Sequence, residues 1–447
     1  MPTRSSSATT ACSPAPPIRA PASALLPARE FTAATRPTHP HVRRPRDRPP
    51  LGSSIVLAEP LVPIGTDVDV AAVLRFLTPE RGWLVLPALA EPHAHLDKAF
   101  LAERCENPTG DLLGAIDALI AYAPHITHAD IVERAERAAR LLLTNGTTAI
   151  RTHADVSVDV GMRHVEALLE VRDRLRDLVD IEVCVLLGCP STGPEGREQI
   201  DRLREALRLG ADLVGGCPHL EDDGVEATDT FLAVAAEFDV GVDLHTDETL
   251  DPSKLFLDHL SKRVVEMEFP HSVAASHCCS LAMQNDDVQR RIAEQVAAAG
   301  IHVVALPHTN LFLQGRDHQH AMPRGVTAVK ALRAAGVNVA AGADNLQDPF
   351  NPVGRGDPLE TAGLMIMTAH LLPDEALHTV SGAPRRMMGL PPADPASGDL
   401  VAVRASTVRD AIAFGPPDRI VLRRGRLVAG QLPAEALRPA DPGSRQS

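Results

Sequence analysis

From Trp83 onward, short apolar runs bounded by turn residues alternate with amphipathic stretches of helical length. Such runs are typical of buried parallel strands, and apolar positions spaced three to four residues apart are typical of helices packed on one face. The pattern therefore predicts eight consecutive strand–helix units. Their strands are expected at Trp83–Leu89, Thr147–His153, Ile181–Leu187, Ala211–Gly215, Val240–His245, Ser272–His277, Ile301–Leu306 and Val337–Gly342.

One of the predicted helices, Asp130–Leu143, illustrates the helical pattern. Its apolar side is formed by Ile131, Ala135, Ala138, Ala139 and Leu142. Glu133, Arg134 and Glu136 are expected to face mostly away from that side, and Asn145-Gly146 is a stop signal.

Eight strand–helix units in succession favour an α/β fold, a closed (β/α)₈ TIM-like barrel, over an open sheet. Short β-like runs at 54–63 and 399–428 flank the barrel, with a turn expected at Arg423-Arg424-Gly425-Arg426. They predict a small flanking β-sandwich or sheet built from both ends of the chain. We therefore expect a small β domain at 51–82 plus 395–435 and a barrel domain at 83–394.

Residues 1–50 are rich in Pro, Ala, Ser, Thr and Arg, and they carry a basic run at Arg43, Arg44, Arg46 and Arg48. This composition predicts a disordered basic tail. The segment lacks the apolar core of a signal peptide, so a tail or a start codon assigned too far upstream is favoured over an export signal, with a transit peptide as a lesser alternative.

Composition and charge exclude several classes of partner. The net charge of −14 and the absence of a Lys/Arg-rich stripe in the folded part argue against nucleic acid. No apolar run approaches the length of a membrane span. Seven cysteines without a CxxC spacing predict reduced thiols and a cytoplasmic location. A homo-oligomer is left open.

The predicted strand ends carry the candidate chemistry. Functional groups of parallel barrels lie at the carboxyl ends of the strands. The first strand is followed by His93 and His95, whose spacing turns both imidazoles to one face. The other strand ends carry His245 with Glu248, His277, and Asp344. Each alone has a structural alternative, such as a capping or core residue, but together they predict one metal site.

These residues lie in a series of segments that resembles the amidohydrolase superfamily, specifically its cytosine deaminase-like members. The resemblance covers most of residues 83–430. The segments that carry it are PHAHLDKAF (92–100), RTHADV (151–156), RLGADLVGGCPH (208–219), DLHTDE (243–248), ASHCCS (275–280), LFLQGR (311–316), PRGVTAVKAL (323–332) and GADNLQDPFNPVG (342–354).

The resemblance implies that one divalent ion, Zn²⁺ or Fe²⁺, is bound by His93, His95, His245 and Asp344. No Lys lies between Lys98 and Lys254 to bridge a second ion. A metal-bound hydroxide is the expected nucleophile. His277 and Asp344 are expected to orient it, and Glu248 to carry a proton to the ring nitrogen and then to the leaving amine.

The substrate pocket departs from the family pattern. The Gln that binds the pyrimidine edge in cytosine deaminases is replaced by Ser191, and Asn345 and Phe350 replace an Asp and a Trp near the ring. A Ser hydroxyl cannot reproduce the two-point contact of an amide. Leu112 and His153 are the other expected substrate contacts. The substrate expected is a small nitrogen heterocycle of the aminopyrimidine type, with cytosine itself in doubt.

The expected activity is hydrolytic deamination of such a heterocycle. One alternative is a cyclic amidase that opens a ring C–N bond, and another is a non-catalytic barrel scaffold. The complete set of candidate metal and proton-transfer residues argues against the scaffold.

Overall fold

The structure is a computed structural model that describes residues 60–438. The predicted disordered tail at 1–50 and most of the predicted β-like run at 54–63 lie outside the described residues. The predicted domain boundaries stay predictions.

Eight parallel strands form one sheet, and each pairs with the next strand along the chain. The strands are β2 (Leu89–Ala94), β3 (Thr147–Val156), β4 (Asp180–Leu187), β5 (Leu213–Gly215), β6 (Gly241–Thr246), β7 (Val273–His277), β8 (His302–Ala305) and β9 (Val339–Ala341). The predicted second to eighth strands are confirmed, each within three residues at either end.

The prediction of Trp83–Leu89 as the first barrel strand was wrong. This apolar stretch divides at Ala88 into two strands. The first, β1 (Leu84–Pro87), pairs antiparallel with a C-terminal strand of the small sheet, and β2 begins the barrel. Hydrophobic periodicity shows that a run is buried, but it does not show which of two sheets the run joins.

Hydrogen bonds between the two ends of the sheet bring the barrel to closure. The N–H of Asp344, just after β9, donates to the carbonyl of His93 at 3.0 Å, and the N–H of His95 donates to the carbonyl of Asp344 at 3.2 Å. The buried carboxylate of Glu91 accepts the N–H of Ala343 at 3.0 Å. Gly342 permits this approach, because a Cβ there would lie 2.3 Å from Glu91 Oε1.

Helices surround the barrel and follow most of its strands. They are α1 (Val70–Phe76), α2 (Leu112–Tyr122), α3 (His128–Thr144), α4 (Arg163–Leu175), α5 (Gly193–Leu209), α6 (Gly224–Phe238), α7 (Phe256–Glu266), α8 (Cys279–Ala282), α9 (Asp286–Ala298), α10 (Pro307–Leu313), α11 (Val329–Ala334), α12 (Pro358–Ala369), α13 (Pro373–Thr379), α14 (Gly382–Met387) and α15 (Val408–Phe414). In the described part of the chain, no helix has both the length and the apolar character needed to cross a membrane.

The helix predicted at Asp130–Leu143 is confirmed as α3. It begins after Thr127, whose hydroxyl accepts the N–H of Asp130, and it ends at Asn145. One detail differs from the prediction. Arg134 is buried rather than turned away, because its guanidinium donates to the carbonyls of Asp97 and Ala99 in the loop after β2.

The barrel interior is layered, because alternate residues of each strand point inward. Along β3 these are Ala149, Arg151, His153 and Asp155, all buried except Asp155, which is half-buried. An alanine-rich layer, formed by Ala90, Ala149, Ala274 and Ala340 with Met387 of α14, fills one end of the barrel. An ionic layer lies above it, and a histidine layer lies at the carboxyl ends of the strands.

The flanking sheet is antiparallel, in the order β1, β10 (Leu400–Val403), β11 (Arg419–Arg423) and β12 (Arg426–Ala429). The predicted turn is confirmed between β11 and β12, where Arg424 and Gly425 have positive φ of 52° and 74°. The described part of the predicted N-terminal run contributes a single bridge, Leu61 to Pro433. A buried ion pair between Arg419 and Asp357 joins this sheet to α12.

Candidate active site

The residues predicted to bind a metal lie together at the carboxyl ends of the barrel strands. His245 Nε2 lies 3.2 Å from both His93 Nε2 and His95 Nε2. Asp344 Oδ1 lies 3.2 Å from His95 Nε2 and 3.6 Å from His93 Nε2. All four side chains are buried. The end of β2, the end of β6 and the turn after β9, far apart in sequence, therefore bring these four side chains together.

The spacing and chemistry of this donor set fit one divalent ion. Ligands about 2.0 Å from a tetrahedral ion lie about 3.3 Å from one another, close to the four separations of 3.2–3.6 Å given above. Both carboxylate oxygens of Asp344 are buried, and neither has a hydrogen-bond partner among residues 60–438. Burial lowers the pKa of His93 and His245 well below the usual value and that of His95 to about 3. The imidazoles are therefore neutral near pH 7, as metal binding requires.

Glu248 and His277 lie beside this donor set. Glu248 Oε1 is 3.4 Å from His277 Nδ1 and accepts the amide N–H of Asn310 at 3.3 Å. His277 Nε2 lies 4.0 Å from Asp344 Oδ2 and has no hydrogen-bond partner. Burial, and then the charge of Asp344, raises the pKa of Glu248 well above its usual value. The Glu248 carboxyl group is therefore suited to hold and release a proton.

The backbone is strained at two of these positions. His277 has φ of 68° and Asp344 has φ of 63°. Residues other than glycine rarely adopt this left-handed conformation, and it is concentrated at sites where side-chain direction matters. At both positions the chain leaves a strand and turns its side chain towards the histidines.

A buried chain of contacts below the site orients His93. The Ser276 hydroxyl donates to Asp243 Oδ1 at 2.9 Å, so it accepts the Nδ1–H of His93, also at 2.9 Å. Asp243 Oδ2 accepts from Arg151 at 2.9 Å, and Arg151 also donates to Glu182 at 2.8 Å. This chain leaves the Nε2 lone pair of His93 directed at the other ligand atoms.

A second buried network lies beside His95. Lys98 Nζ contacts Asp155 at 2.8 Å, Asp97 at 3.2 Å and His95 Nδ1 at 3.2 Å. Asp97 also accepts from His164 at 2.7 Å. Burial opposes the charge of Lys98, but Asp155 and Asp97 outweigh it and raise its pKa. The ammonium occupies the position that a cation between these acids would take.

The predicted substrate contacts occupy different environments. The ring of His153 lies 4.0 Å from that of His93, centre to centre, and neither of its nitrogens has a hydrogen-bond partner among the described residues. The buried Ser191 donates its N–H to Glu221, and within the same residues its hydroxyl has no partner. The Asn345 amide is engaged by Thr309 and Asp348.

The remaining two candidates, Leu112 and Phe350, are half-buried. Leu112 begins α2, and Phe350 lies in the loop after β9, where its N–H donates to Asp348. Substrate contact by these residues stays a prediction.

The sequence analysis missed the residues that support the ligands, chiefly Arg151, Asp243, Ser276, Lys98 and Asn310. A signal for two of them was present, because Arg151 and Asp243 precede His153 and His245 by two residues and therefore share their side of the strand. A charged residue in an otherwise apolar strand was the available clue.

Comparisons with known proteins agree with the barrel fold and identify the family. The model of the Amidohydrolase family (Amidohydro_3) matches residues 180–429. A pterin deaminase of Rhizobium rhizogenes is 32% identical over 362 residues, which cover 79% of this chain and 82% of that protein.

Solved structures are also similar. The crystal structure of 5-methylcytosine deaminase from Klebsiella pneumoniae with 5-fluorocytosine has a TM-score of 0.71 and 29% identity, and N-isopropylammelide isopropylaminohydrolase from Burkholderia multivorans has a TM-score of 0.66 and 30% identity. Each comparison covers 78% of this chain and 87% of the other. The chain belongs to the amidohydrolase family and is a hydrolase that acts on carbon–nitrogen bonds.

Proposed function

We propose that this protein is a metal-dependent aminohydrolase that removes an exocyclic amino group from a small nitrogen heterocycle. The observation that carries the proposal is the convergence of His93, His95, His245 and Asp344 beside the buried Glu248. The relatives support the reaction class, because those compared include a pterin deaminase and a 5-methylcytosine deaminase.

One divalent ion bound by these four residues would activate water for attack and polarise the carbon that loses its amine. Zinc and ferrous iron both suit imidazole and carboxylate ligands. A single ion is favoured because the Lys98 ammonium already supplies the positive charge between Asp97 and Asp155.

Glu248 is the proposed proton carrier. Its protonated carboxyl group donates to the ring nitrogen next to the amino-bearing carbon, which makes that carbon more electrophilic. Glu248 then takes one proton from the attacking water and passes it to the leaving nitrogen as the C–N bond breaks, so that neutral ammonia departs. The second proton of the water returns to Glu248 as the new C=O bond forms, which restores the protonated carboxyl group. Asn310 holds the Glu248 carboxyl group in place.

His277 is proposed to orient the attacking water. Its Nε2 has no protein partner and faces Asp344, and burial lowers its pKa to about 4, so the ring is neutral near pH 7. A neutral imidazole can hold the water by one hydrogen bond while Asp344 holds it by another. His153 packs closely against His93, so we propose that His153 limits the space available to the substrate ring.

Ammonia release tests the proposal. The metal-analysed enzyme is assayed with pterin, cytosine, 5-methylcytosine, isoguanine, creatinine and aminotriazines, and alkylamine release is measured with N-alkylamino triazines because one relative is an isopropylaminohydrolase. We expect amine release from at least one compound and its loss in His93→Ala and Glu248→Ala. The exposed His318→Ala is the control.

Other outcomes contradict the proposal. Ring opening without ammonia release would identify a cyclic amidase. Failure of the protein to bind metal would favour a non-catalytic scaffold.

The cytoplasmic location stays a prediction.

A further inference from the structure

Three buried polar atoms beside the proposed active site have no partner among the described residues. They are Ser191 Oγ, His219 Nε2 and Glu221 Oε2. Each residue is at least nine-tenths buried. Buried polar atoms in proteins are almost always hydrogen-bonded, so these three atoms have hydrogen-bonding capacity left for a bound molecule.

The loop that carries His219 and Glu221 is joined directly to a proposed metal ligand. It follows β5, and the carbonyl of Gly216 accepts the N–H of His245 at 3.0 Å. His219 Nδ1–H donates to the carbonyl of His245, also at 3.0 Å. The unpartnered atoms therefore lie on elements fixed to the backbone of β6 at its carboxyl end.

Glu221 is held by one of its two carboxylate oxygens. Oε1 accepts the N–H of Ser191 at 2.8 Å, which leaves Oε2 free in a fixed direction. Ser191 follows β4 and Glu221 follows β5, so both residues lie at the carboxyl ends of the barrel strands. The donor set lies at this same end, and the substrate ring would lie there too.

We propose that Glu221 is a specificity-determining residue whose free oxygen accepts a ring N–H of the substrate. The neighbouring Ser191 hydroxyl donates to the adjacent ring carbonyl. This pair is complementary to the N–H and C=O of a cyclic amide, so the substrate class is an amino-substituted heterocycle that also carries a lactam edge. The inference rests on the proposed function, and it replaces the single contact expected of Ser191 with a two-point contact.

Glu221→Gln tests the proposal with almost no change in shape. The Gln oxygen can still accept the Ser191 N–H, but its amide nitrogen then presents a donor where Oε2 was an acceptor. The exposed neighbour Asp222 provides a matched control, Asp222→Asn, with the same loss of one charge. Metal content and thermal midpoint are measured for both variants.

The test compares substrates with and without the ring N–H, namely pterin with 3-methylpterin and cytosine with 1-methylcytosine, using whichever parent the enzyme hydrolyses. We expect Glu221→Gln to lower kcat/KM for the parent by about 10- to 100-fold, mainly through KM. For the N-methyl analogue, wild type and variant should have nearly equal kcat/KM. Asp222→Asn should match wild type with both.

Equal losses with parent and analogue, or no loss with the parent, would overturn the proposal. If Glu221→Gln does not fold, the wild-type protein alone tests the proposal. Equal kcat/KM for the parent and the N-methyl analogue would show that the ring N–H makes no important contact. Failure of the proposed aminohydrolase function would give a different result, because the metal-loaded wild-type protein would then release no amine from any compound in the panel.

Discussion

Two layers of polar side chains inside the barrel differ in how completely they are hydrogen-bonded. In the lower layer, Arg151 is paired with both Glu182 and Asp243, and Asp243 also accepts from Ser276. In the upper layer, both nitrogens of His153 and both carboxylate oxygens of Asp344 lack partners in the described part of the chain. Arg151 and Asp243 are as deeply buried as His153 and Asp344, so burial alone does not explain the difference.

The difference indicates a division of roles. A completed ionic layer fixes the positions of strands and of the side chains above it, whereas an incomplete layer retains binding capacity for a ligand. His93 connects the layers, because its Nδ1 belongs to the completed network and its Nε2 to the incomplete one. Substitutions in the lower layer should therefore reduce stability, whereas substitutions in the upper layer should reduce activity.

The largest effect is expected for Glu248→Gln in the upper layer. Gln keeps the shape of the side chain but cannot carry the proton, so kcat should fall by about 10²- to 10⁴-fold while metal content is unchanged. Steady-state kinetics and metal analysis test this, with the exposed Glu266→Gln as control. Activity within threefold of wild type would exclude Glu248 as the proton carrier.

In the lower layer, Arg151→Met should act on stability. It leaves Asp243 buried without its cation, which should cost about 3–5 kcal/mol of unfolding free energy. Denaturant unfolding of the metal-free protein measures this. Arg140→Met removes an exposed pair with Glu136 and should cost less than about 0.5 kcal/mol. Similar costs in both variants would contradict the structural role of the ionic layer.

Ser276→Ala tests the connection between the layers. Without the hydroxyl, His93 Nδ1 loses the acceptor that fixes its tautomer, so metal affinity should weaken by about 10- to 100-fold. Competition with a chelator gives the affinity. Ser261→Ala removes another buried hydroxyl, in α7, and should leave metal affinity unchanged. An unchanged affinity in Ser276→Ala would show that His93 is oriented without this contact.

The smallest effect concerns pH. Protons displace a metal from histidine only as pH falls towards the histidine pKa, and burial lowers the pKa of His95 to about 3. The protein should therefore keep its metal on dialysis at pH 6, where an ordinary histidine is largely protonated. Metal analysis after dialysis at pH 7, 6 and 5 tests this. Loss of most metal between pH 7 and 6 would show that the site is not protected by burial.

Sequence periodicity located most of the barrel because each strand and helix buries its apolar side whatever its neighbours are. Ile301–Leu306 illustrates this, since a strand buried on both sides needs a nearly continuous apolar run and His302 is its only polar residue. The first predicted strand failed for the opposite reason. Leu84–Pro87 and Leu89–Ala94 form one apolar stretch, and only pairing with β10 or with β3 assigns them to different sheets.

The sequence by itself determined the order of strand–helix units and the residue types delivered at the strand ends, His93, His95, His245 and Asp344 among them. Both depend on local periodicity and on spacing within one element. The tertiary structure alone decided that Ser276 and Asp243 support His93 and that Ser191 holds Glu221. Those contacts join residues 30 or more positions apart, and their distances are set by closure of the barrel rather than by any local pattern.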